Sequence, residues 1–541
     1  MEIFQKVPLT MTSFIPRAYG ATTIRHTVDA IPATMPMARA QAAVKVHNHV
    51  DAARWFEQAM REQPENVQAS LGLGQSLCSL GRRGEGTAYL RQAGQYFLQA
   101  SRQSGDLTPL LELISQLQHW SDFEGALELG TQAAEVNSAD FRVHQLLTLT
   151  YSQLNRTADA LVAGQRALEL DPENSMMHIL QGSLEADAGL NAAAKLRLED
   201  VLTYELNARE EFRAHKELAR VLDKLGEYDQ VFPHLHESAG FSSQLPEITR
   251  QDKALIPTML KANRIEFDRE LLSRWSGAEF PKNKPSLTFL VGFMRSGTTL
   301  TQEVLDAHPD VFVADEADFI WAMHRELHMM DTSTANTAEK LRRLDFVGVL
   351  HLRECYWNRV RQRFGDSIGE RMLVDKFTMN TIDLGLINVI FPDAKVVFVM
   401  RDPRDVCVSC FMQLMVPSPA TVHLLTWQGT AEFYAAVMDW WMYIKQQMTM
   451  GFIEFRYEDA VMQFEPTFRK VFDFLGLSWD ASVADFHKRA AGKFISTPSR
   501  TQVAQPLYTS SVTRWRHFES EFAPVSELLK PFVKAFYYEP F

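Results

Sequence analysis

Residues 291–300 read VGFMRSGTTL and follow Leu287–Val291, an apolar run with the composition of a buried strand. Gly292 and Gly297 have the G-x-x-x-x-G spacing of a phosphate-binding loop, and Thr298 is expected to open a helix. The backbone N–H groups of such a loop and the N-terminus of the next helix together attract an anion. The stretch therefore predicts a strand, an anion-binding loop and a helix in succession.

The cation of this loop is an arginine. In an ATP-type P-loop, a lysine follows the second glycine and reaches the terminal phosphates. Here Thr298 occupies that place, and Arg295 lies inside the loop. We therefore expect a phosphate-like anion whose terminal group need not be a γ-phosphate. A P-loop phosphotransferase with Asp402 as a magnesium ligand is the competing hypothesis, and the missing lysine argues against it.

A second strand-loop-helix pattern occurs further along the chain. Lys395–Met400 reads as a buried strand, RDPRDV follows at residues 401–406, and Ser409 comes eight residues after Arg401. A guanidinium that binds in bidentate fashion and a hydroxyl near a helix start suit a dianion. The two patterns predict a P-loop-type α/β domain with a parallel sheet, whose ligand lies at the carboxyl ends of the strands.

These motifs resemble those of sulfotransferases that use 3′-phosphoadenosine 5′-phosphosulfate (PAPS) as co-substrate. From about residue 283 to residue 516, the chain resembles tyrosylprotein sulfotransferases and their bacterial relatives fused to tetratricopeptide (TPR) repeats. The resemblance implies that Arg401 and Ser409 hold the 3′-phosphate. It implies that the 5′-phosphosulfate is held by Arg295, Ser296, Gly297, Thr298 and Thr299. No metal is expected, because arginine and lysine can neutralise the modest charge of a sulfuryl group.

The resemblance also implies a set of catalytic residues. Glu316 matches the general base, and a carboxylate suits the task because a tyrosine hydroxyl has a pKa of about 10 and must lose its proton. Asp315 beside it stays open as an alternative base. Lys376 matches the lysine that neutralises the bridging oxygen of the leaving group. Ser499 hydrogen-bonds the transition state by the same carry-over, and Arg295 is counted with the catalytic residues.

Three further residues complete the expected site. His308 is a rival base, because cytosolic small-molecule sulfotransferases use a histidine, but its place immediately before Pro309 favours a turn role. Tyr457, in an R-Y-E-D segment, corresponds to a tyrosine near the adenine. Arg514 stands where the family has a lysine that grips a cofactor phosphate, and the exchange alters reach and fork geometry.

One departure concerns the acceptor. In tyrosylprotein sulfotransferases, arginines two and six places beyond the glutamate hold the acidic substrate peptide, whereas this chain has Asp318 and Ala322 there. A preference for acidic tyrosine sites is therefore in doubt. Arg325 and Arg353 are nearby substitutes, with no spacing argument for either.

The amino-terminal half repeats with the 34-residue period of TPR helix pairs. Residues 141–174 form the clearest unit, and a last divergent unit runs from about Phe212 to Ser243. We predict a partly ordered leader at 1–37, an all-α TPR solenoid at 38–245, linker helices at 246–284 and the sulfotransferase domain at 285–541. The solenoid suits a scaffold or homodimerisation arm, and it equally suits a groove that captures an acceptor peptide or protein.

The bulk composition narrows the partners. A net charge of −12 and a pI near 5.8 argue against nucleic acid or an anionic membrane as the main partner. No apolar run approaches the roughly 20 residues of a spanning helix, and no signal peptide is evident. Only four cysteines occur among 541 residues, which favours a reducing, cytoplasmic compartment. The C-x-x-C pair Cys407 and Cys410 is interpreted as packing.

Three functional hypotheses remain. The favoured one is a PAPS-dependent sulfotransferase that acts on a hydroxyl, with tyrosine of a peptide or protein as acceptor. The second is a sulfotransferase for a small phenol, glycan or lipid. The third is a TPR interaction protein whose P-loop half binds nucleotide without chemistry.

Overall fold

The computed structural model describes residues 35–282, 284–490 and 511–541. The chain divides into two compact units, one ending at Tyr204 and one running from Glu205 to Phe541. Each unit has its own apolar core. The predicted leader lies almost entirely outside the described residues, and its partial order stays a prediction.

The first unit is helical, and its helices pack in consecutive pairs. Helices at equivalent places in neighbouring pairs begin at Phe141 and Ser175, one 34-residue period apart. Ala126, Ala160 and Ala194 follow the same period and are fully buried, at 0% exposure. Small side chains at these places let the helices approach closely. The predicted TPR-type helix pairs are therefore confirmed.

The described helices of the first unit are α1 (Met35–Lys45), α2 (His49–Glu62), α3 (Val67–Ser79), α4 (Arg83–Ser104), α5 (Thr108–His119), α6 (Phe123–Val136), α7 (Phe141–Gln153), α8 (Thr157–Leu170), α9 (Ser175–Asp187) and α10 (Asn191–Val201). Several begin at a side chain that accepts a hydrogen bond from the first turn, as Asn66, Asp140 and Asn174 do. These caps recur with the repeat and define where each pair starts.

The second unit opens with a helix pair, α11 (Ala208–Leu225) and α12 (Tyr228–Ser242). Asn207 and Glu210 form a capping box at the start of α11, and Gly226 ends it in the left-handed conformation. This pair coincides with the last divergent repeat of the sequence, yet it belongs to the unit that contains the sheet. The repeat limit at residue 245 stays a prediction.

A five-stranded parallel sheet organises the second unit. Its strands are β1 (Leu287–Gly292), β2 (Val311–Asp315), β3 (Met372–Lys376), β4 (Lys395–Met400) and β5 (Gly451–Arg456). Their order is β2-β3-β1-β4-β5, so β1 is central and pairs with both β3 and β4. All residues of β1 and β3 are buried, as continuously apolar parallel strands require. The predicted parallel sheet with both motif strands inside it is confirmed.

The remaining helices of the second unit surround this sheet in sequence. They are α13 (Pro246–Thr249), α14 (Leu255–Glu266), α15 (Arg269–Ser273), α16 (Thr298–Asp306), α17 (Phe319–Met330), α18 (Thr337–Arg343), α19 (Phe346–Phe364), α20 (Leu384–Ile390), α21 (Pro403–Met412), α22 (Trp427–Gln447), α23 (Tyr457–Met462), α24 (Phe464–Leu475), α25 (Phe486–Ala490) and α26 (Ser526–Ala535). Short 3₁₀ helices span Thr378–Asp383, Thr421–Leu425, Ala481–Asp485 and Arg514–Phe522.

Apolar packing fixes the sheet beneath the two motif loops. Val304 of α16 and Phe472 of α24 join the core cluster that contains Leu290 of β1 and Val397 of β4. Each fully buried side chain of this kind contributes roughly 1.5–3 kcal/mol. The carboxyl ends of the strands are therefore held at fixed mutual positions. Within the described residues, no helix is both long and apolar enough to cross a membrane.

Candidate functional site

The loop between β1 and α16 depends on a glycine at the helix start. Gly297 has a φ of +102°, a conformation that L side chains rarely adopt. A Cβ atom placed there would lie 2.4 Å from Cδ2 of Tyr457. Arg295, two residues earlier, also has a positive φ, of +65°. Such backbone strain is commonly stored at functional sites.

Thr381 ties the start of this loop to the rest of the unit. The N–H of Gly292 donates to Oγ1 of Thr381 at 3.1 Å, and the same hydroxyl lies 2.8 Å from the carbonyl oxygen of Gly292. Nε1 of Trp440 donates to the carbonyl of Thr381 at 2.9 Å. All three groups are buried, so the loop is anchored before it turns.

The residues of the two motifs meet at the ends of β1 and β4. Nε of Arg295 donates to Oγ of Ser409 at 3.0 Å. Nη1 of Arg401 donates to the carbonyl of Arg295 at 3.1 Å, and its guanidinium lies 4.9 Å from the ring centre of Tyr457. Ser511 binds both Arg401, through its carbonyl at 2.6 Å, and the Tyr457 hydroxyl, through Oγ at 2.9 Å. The structure thus brings four predicted donor-site residues into one cluster.

Two buried polar atoms of this cluster lack a hydrogen-bond partner within the described part of the chain. They are Oγ of Ser296 and Nε of Arg401, on residues that are 2% and 7% exposed. Leaving a buried donor unsatisfied costs about 1–3 kcal/mol. An anion with several acceptor oxygens would satisfy both groups. The donor set therefore fits a phosphate or phosphosulfate ligand.

A carboxylate–lysine cluster lies at the ends of the neighbouring strands β2 and β3. Nζ of Lys376 lies 3.1 Å from Oδ1 of Asp315 and 3.0 Å from Oε1 of Glu316. Lys376 is fully buried, and burial opposes its charge, but the two carboxylates outweigh that effect and raise its pKa. Glu316 has a φ of +44°, and its N–H donates to the carbonyl of Lys376 at 2.7 Å.

Asp375 lies fully buried next to this cluster. It accepts hydrogen bonds from the Tyr356 hydroxyl at 2.8 Å and from Nδ2 of Asn380 at 3.4 Å. Burial, the dominant effect, raises the pKa of Asp375 to about 7. Sequence analysis did not single out this residue, whose only signal is its place before Lys376.

The rival residues have structural partners. His308 is buried, its Nε2 lies 2.9 Å from the Ser478 carbonyl, and its Nδ1 accepts from the Asp310 N–H at 3.1 Å. It lies beyond the far end of α16, a helix of nine residues that is about 13 Å long. Asp402 caps α21 and forms a buried ion pair with Arg404, with contacts of 2.9 and 2.8 Å.

The cysteine pair is buried within α21. Burial raises the pKa of both Cys407 and Cys410, the latter to about 12, so neither thiol ionises readily near neutral pH. Within the described residues, no group of three or more metal-ligating side chains is placed to hold a metal ion.

The acceptor-side positions differ in their surroundings. Asp318 accepts from Nη2 of Arg359 at 2.7 Å. Burial opposes ionisation of Asp318, but this hydrogen bond and nearby arginines outweigh it and lower its pKa. Arg353, a suggested substitute, donates to Asp393 at 2.7 and 2.9 Å. Arg325 is exposed on α17.

Two predicted residues stand apart from the cluster as described. Arg514 donates through Nε to Oδ1 of Asp223 at 2.9 Å and lies 2.6 Å from its Oδ2 through Nη2. Its Nη2 also contacts Sδ of Met412, one helical turn beyond Ser409, at 2.9 Å. Ser499 lies outside the described residues. Thr381, Ser511 and Asp223 were missed by sequence reasoning, because nothing local to them signals these long-range contacts.

Comparison with known proteins gives the family of the second unit. Residues 287–481 match the model of the sulfotransferase family. This range includes all five strands and both motif loops. It makes up part of the chain, and the helical pairs precede it.

Relatives share this region at low identity. An uncharacterized protein of Aquifex aeolicus is 26% identical over 416 residues, 75% of this chain and 52% of that protein. This chain therefore spans about half the length of that relative. Protein-tyrosine sulfotransferase 1 of Danio rerio is 25% identical over 44% of this chain and 67% of its own length. Protein-tyrosine sulfotransferase 2 of Gallus gallus is 24% identical over 52% of this chain and 74% of its own.

Solved structures match each unit in part. A sulfotransferase domain from the curacin biosynthetic pathway is 17% identical, covers 48% of this chain and 99% of its own, and has a TM-score of 0.35. A crystal structure of MamA protein is 14% identical, covers 39% of this chain and 92% of its own, and has a TM-score of 0.23.

Proposed function

We propose that this TPR-containing chain, with its sulfotransferase-family domain, transfers a sulfuryl group from PAPS to an acceptor hydroxyl, with tyrosine of a peptide or protein as the favoured acceptor. The observation that carries the proposal is the cluster of Arg295, Arg401 and Ser409, drawn from two separate motifs. The carboxylate–lysine cluster at the ends of the adjacent strands supplies groups suited to the chemistry.

The donor would occupy the ends of β1 and β4. The loop amides with Arg295 and Ser296 would bind the 5′-phosphosulfate at the start of α16, together with Gly297, Thr298 and Thr299. Arg401, Ser409 and Arg514 would bind the 3′-phosphate. The unsatisfied buried atoms of Ser296 and Arg401 support this assignment. Tyr457 would lie near the adenine.

The transfer itself would proceed in line. The acceptor oxygen forms a bond to sulfur while the bond between sulfur and the bridging oxygen breaks. Adenosine 3′,5′-bisphosphate leaves with the electron pair, and Glu316 takes the acceptor proton. Lys376, whose raised pKa keeps it charged, would stabilise the bridging oxygen as negative charge develops. Ser499 keeps its proposed role at the transition state. Asp315 contacts the same ammonium and is the alternative base.

A radiolabelled donor assay tests the proposal. Purified protein is incubated with [³⁵S]PAPS and, separately, with tyrosine peptides, simple phenols and a cell lysate. We expect label on tyrosine peptides and on lysate protein. Label confined to phenols, glycans or lipids would assign the second acceptor class. No transfer to any acceptor, with adenosine 3′,5′-bisphosphate still bound, would leave an inactive nucleotide-binding protein.

Peptide pairs resolve the preference for acidic sites. Because Asp318 occupies the place of a peptide-binding arginine and is itself paired with Arg359, tyrosine peptides with and without acidic flanks are expected to react at similar rates. Capture of the acceptor by the helical repeats, a homodimer, the cytoplasmic compartment and independence from metal stay predictions.

A further inference from the structure

Helix α11 contacts the elements that carry the proposed 3′-phosphate residues. Lys216 of α11 donates to the carbonyl of Phe411, next to the last residue of α21, and is only 2% exposed. Its ammonium lies 4.8 Å from the Phe411 ring. Helix α21 carries Ser409. A helix that the sequence assigns to the repeats is therefore embedded in the unit that would bind the donor.

Asp223 lies two helical turns beyond Lys216, on the same face of α11. Its carboxylate binds Arg514 through both oxygens, at 2.9 Å from Nε and 2.6 Å from Nη2. This side-on contact fixes the plane of the guanidinium. In the part of the chain that the structure describes, no residue accepts a hydrogen bond from Nη1 of Arg514. The contact thus leaves that nitrogen available as a donor.

The backbone around Arg514 is tied to α21 as well. The N–H groups of Thr513 and Trp515 donate to the two oxygens of Asp405, at 2.9 and 2.8 Å. Met412 of the same helix contacts Nη2 of Arg514. The position of Arg514 is therefore defined by its backbone on one side and by Asp223 on the other.

We propose that Asp223 is a positioning residue that orients Arg514 so that Nη1 binds the 3′-phosphate of the donor nucleotide. The inference rests on the proposed function, because it needs PAPS as the donor. Asp223 itself does not touch the nucleotide. It acts through Arg514, and it makes α11 a part of the donor site.

The experiment compares two nucleotides by calorimetry on the full chain. Adenosine 3′,5′-bisphosphate carries the 3′-phosphate and AMP lacks it. In D223N, affinity for the bisphosphate should fall about tenfold, the loss expected for one charge-assisted hydrogen bond, whereas affinity for AMP should not change. D223E should recover part of the loss. D229N, an exposed acid-to-amide change on α12, is the matched control and should bind both nucleotides like the parent.

A double mutant separates positioning from folding. In an R514A background, D223N should cause no further loss, because the residue through which it acts is gone. An equal loss for both nucleotides, or an added loss in R514A, would assign Asp223 a merely structural role and overturn the inference. Unchanged binding by D223N would do the same. Failure of the parent protein to bind the bisphosphate would instead reject the proposed function.

Discussion

At the residue scale, Glu316 carries the proposed proton transfer. Glu316→Gln should lower turnover by about 100- to 10,000-fold, because an amide cannot accept the acceptor proton. Nucleotide affinity should stay within about threefold, since in the structure Glu316 contacts Lys376 and not the donor cluster. Initial rates with radiolabelled PAPS and calorimetry with the bisphosphate measure the two effects.

Asp315→Asn is the matched control for this variant. It removes a second carboxylate that contacts the same ammonium, so it reports how much of the effect comes from the lost ion pair. Asp315→Asn should retain most of the activity. The reverse result, with Glu316→Gln active and Asp315→Asn inactive, would transfer the role of base to Asp315.

Asp375 should make folding depend on pH. Its pKa is about 7 in the folded protein and about 3.9 in an unfolded chain, so between these values the native state binds more protons. Stability must then fall as pH rises through this window. Between pH 5 and pH 8 the loss is on the order of 2–3 kcal/mol. Urea unfolding of the parent should show this loss, and Asp375→Asn should show a smaller one.

The comparison isolates one carboxyl group, because other titrating groups are common to both proteins. Asp366→Asn, at an exposed position, should keep the parent's pH dependence. If Asp375→Asn changed stability equally at pH 5 and pH 8, Asp375 would ionise with an ordinary pKa despite its burial.

How far sequence reasoning reaches is visible in these residues. Arg295, Arg401 and Ser409 belong to short motifs behind apolar strands, so the two loops could be placed at the same edge of the sheet. Thr381 and Asp223 could not be found, because a threonine or aspartate has no local feature that reveals a partner 89 or 291 residues away. Only the folded chain brings them together.

At the element scale, the loop before α16 depends on Gly297. Gly297→Ala should abolish nucleotide binding, because an alanine there needs a left-handed backbone and its Cβ would clash with Tyr457. Calorimetry with adenosine 3′,5′-bisphosphate measures the loss. Gly84→Ala is the control, since Gly84 is a helical glycine with no atom near its Cβ position. It should preserve binding and stabilise α4 by about 0.5–1 kcal/mol.

The elements themselves were predictable to different degrees. Continuous apolar runs identify β1 and β4, and a 34-residue period identifies the helix pairs. The strand order was not predictable, because β1 pairs with β3 and β4 from opposite sides across long insertions. The periodicity also could not show that α11 and α12 join the unit with the sheet, because a repeat pattern records which face is apolar and not what covers it.

At the scale of the whole molecule, the last helix pair should decide whether the second unit folds alone. Phe232 of α12 packs against Phe411, Trp427 and Phe518, with ring centres 5.1–5.7 Å apart. Tyr228 stacks on His517 at 3.9 Å. Loss of one such buried aromatic ring costs about 3–5 kcal/mol, against a typical total stability of 5–15 kcal/mol. Removing the pair should therefore unfold the unit.

Two truncated chains test this directly. A chain of residues 205–541 should melt cooperatively and bind adenosine 3′,5′-bisphosphate like the full protein, because it retains the whole second unit. A chain of residues 246–541, cut at the predicted end of the repeats, should show neither property. Circular dichroism melts and calorimetry give the comparison. Full nucleotide affinity in the shorter chain would mean that α11 and α12 are dispensable for the donor site, and the sheet with its own helices would then suffice to hold Arg514 in place.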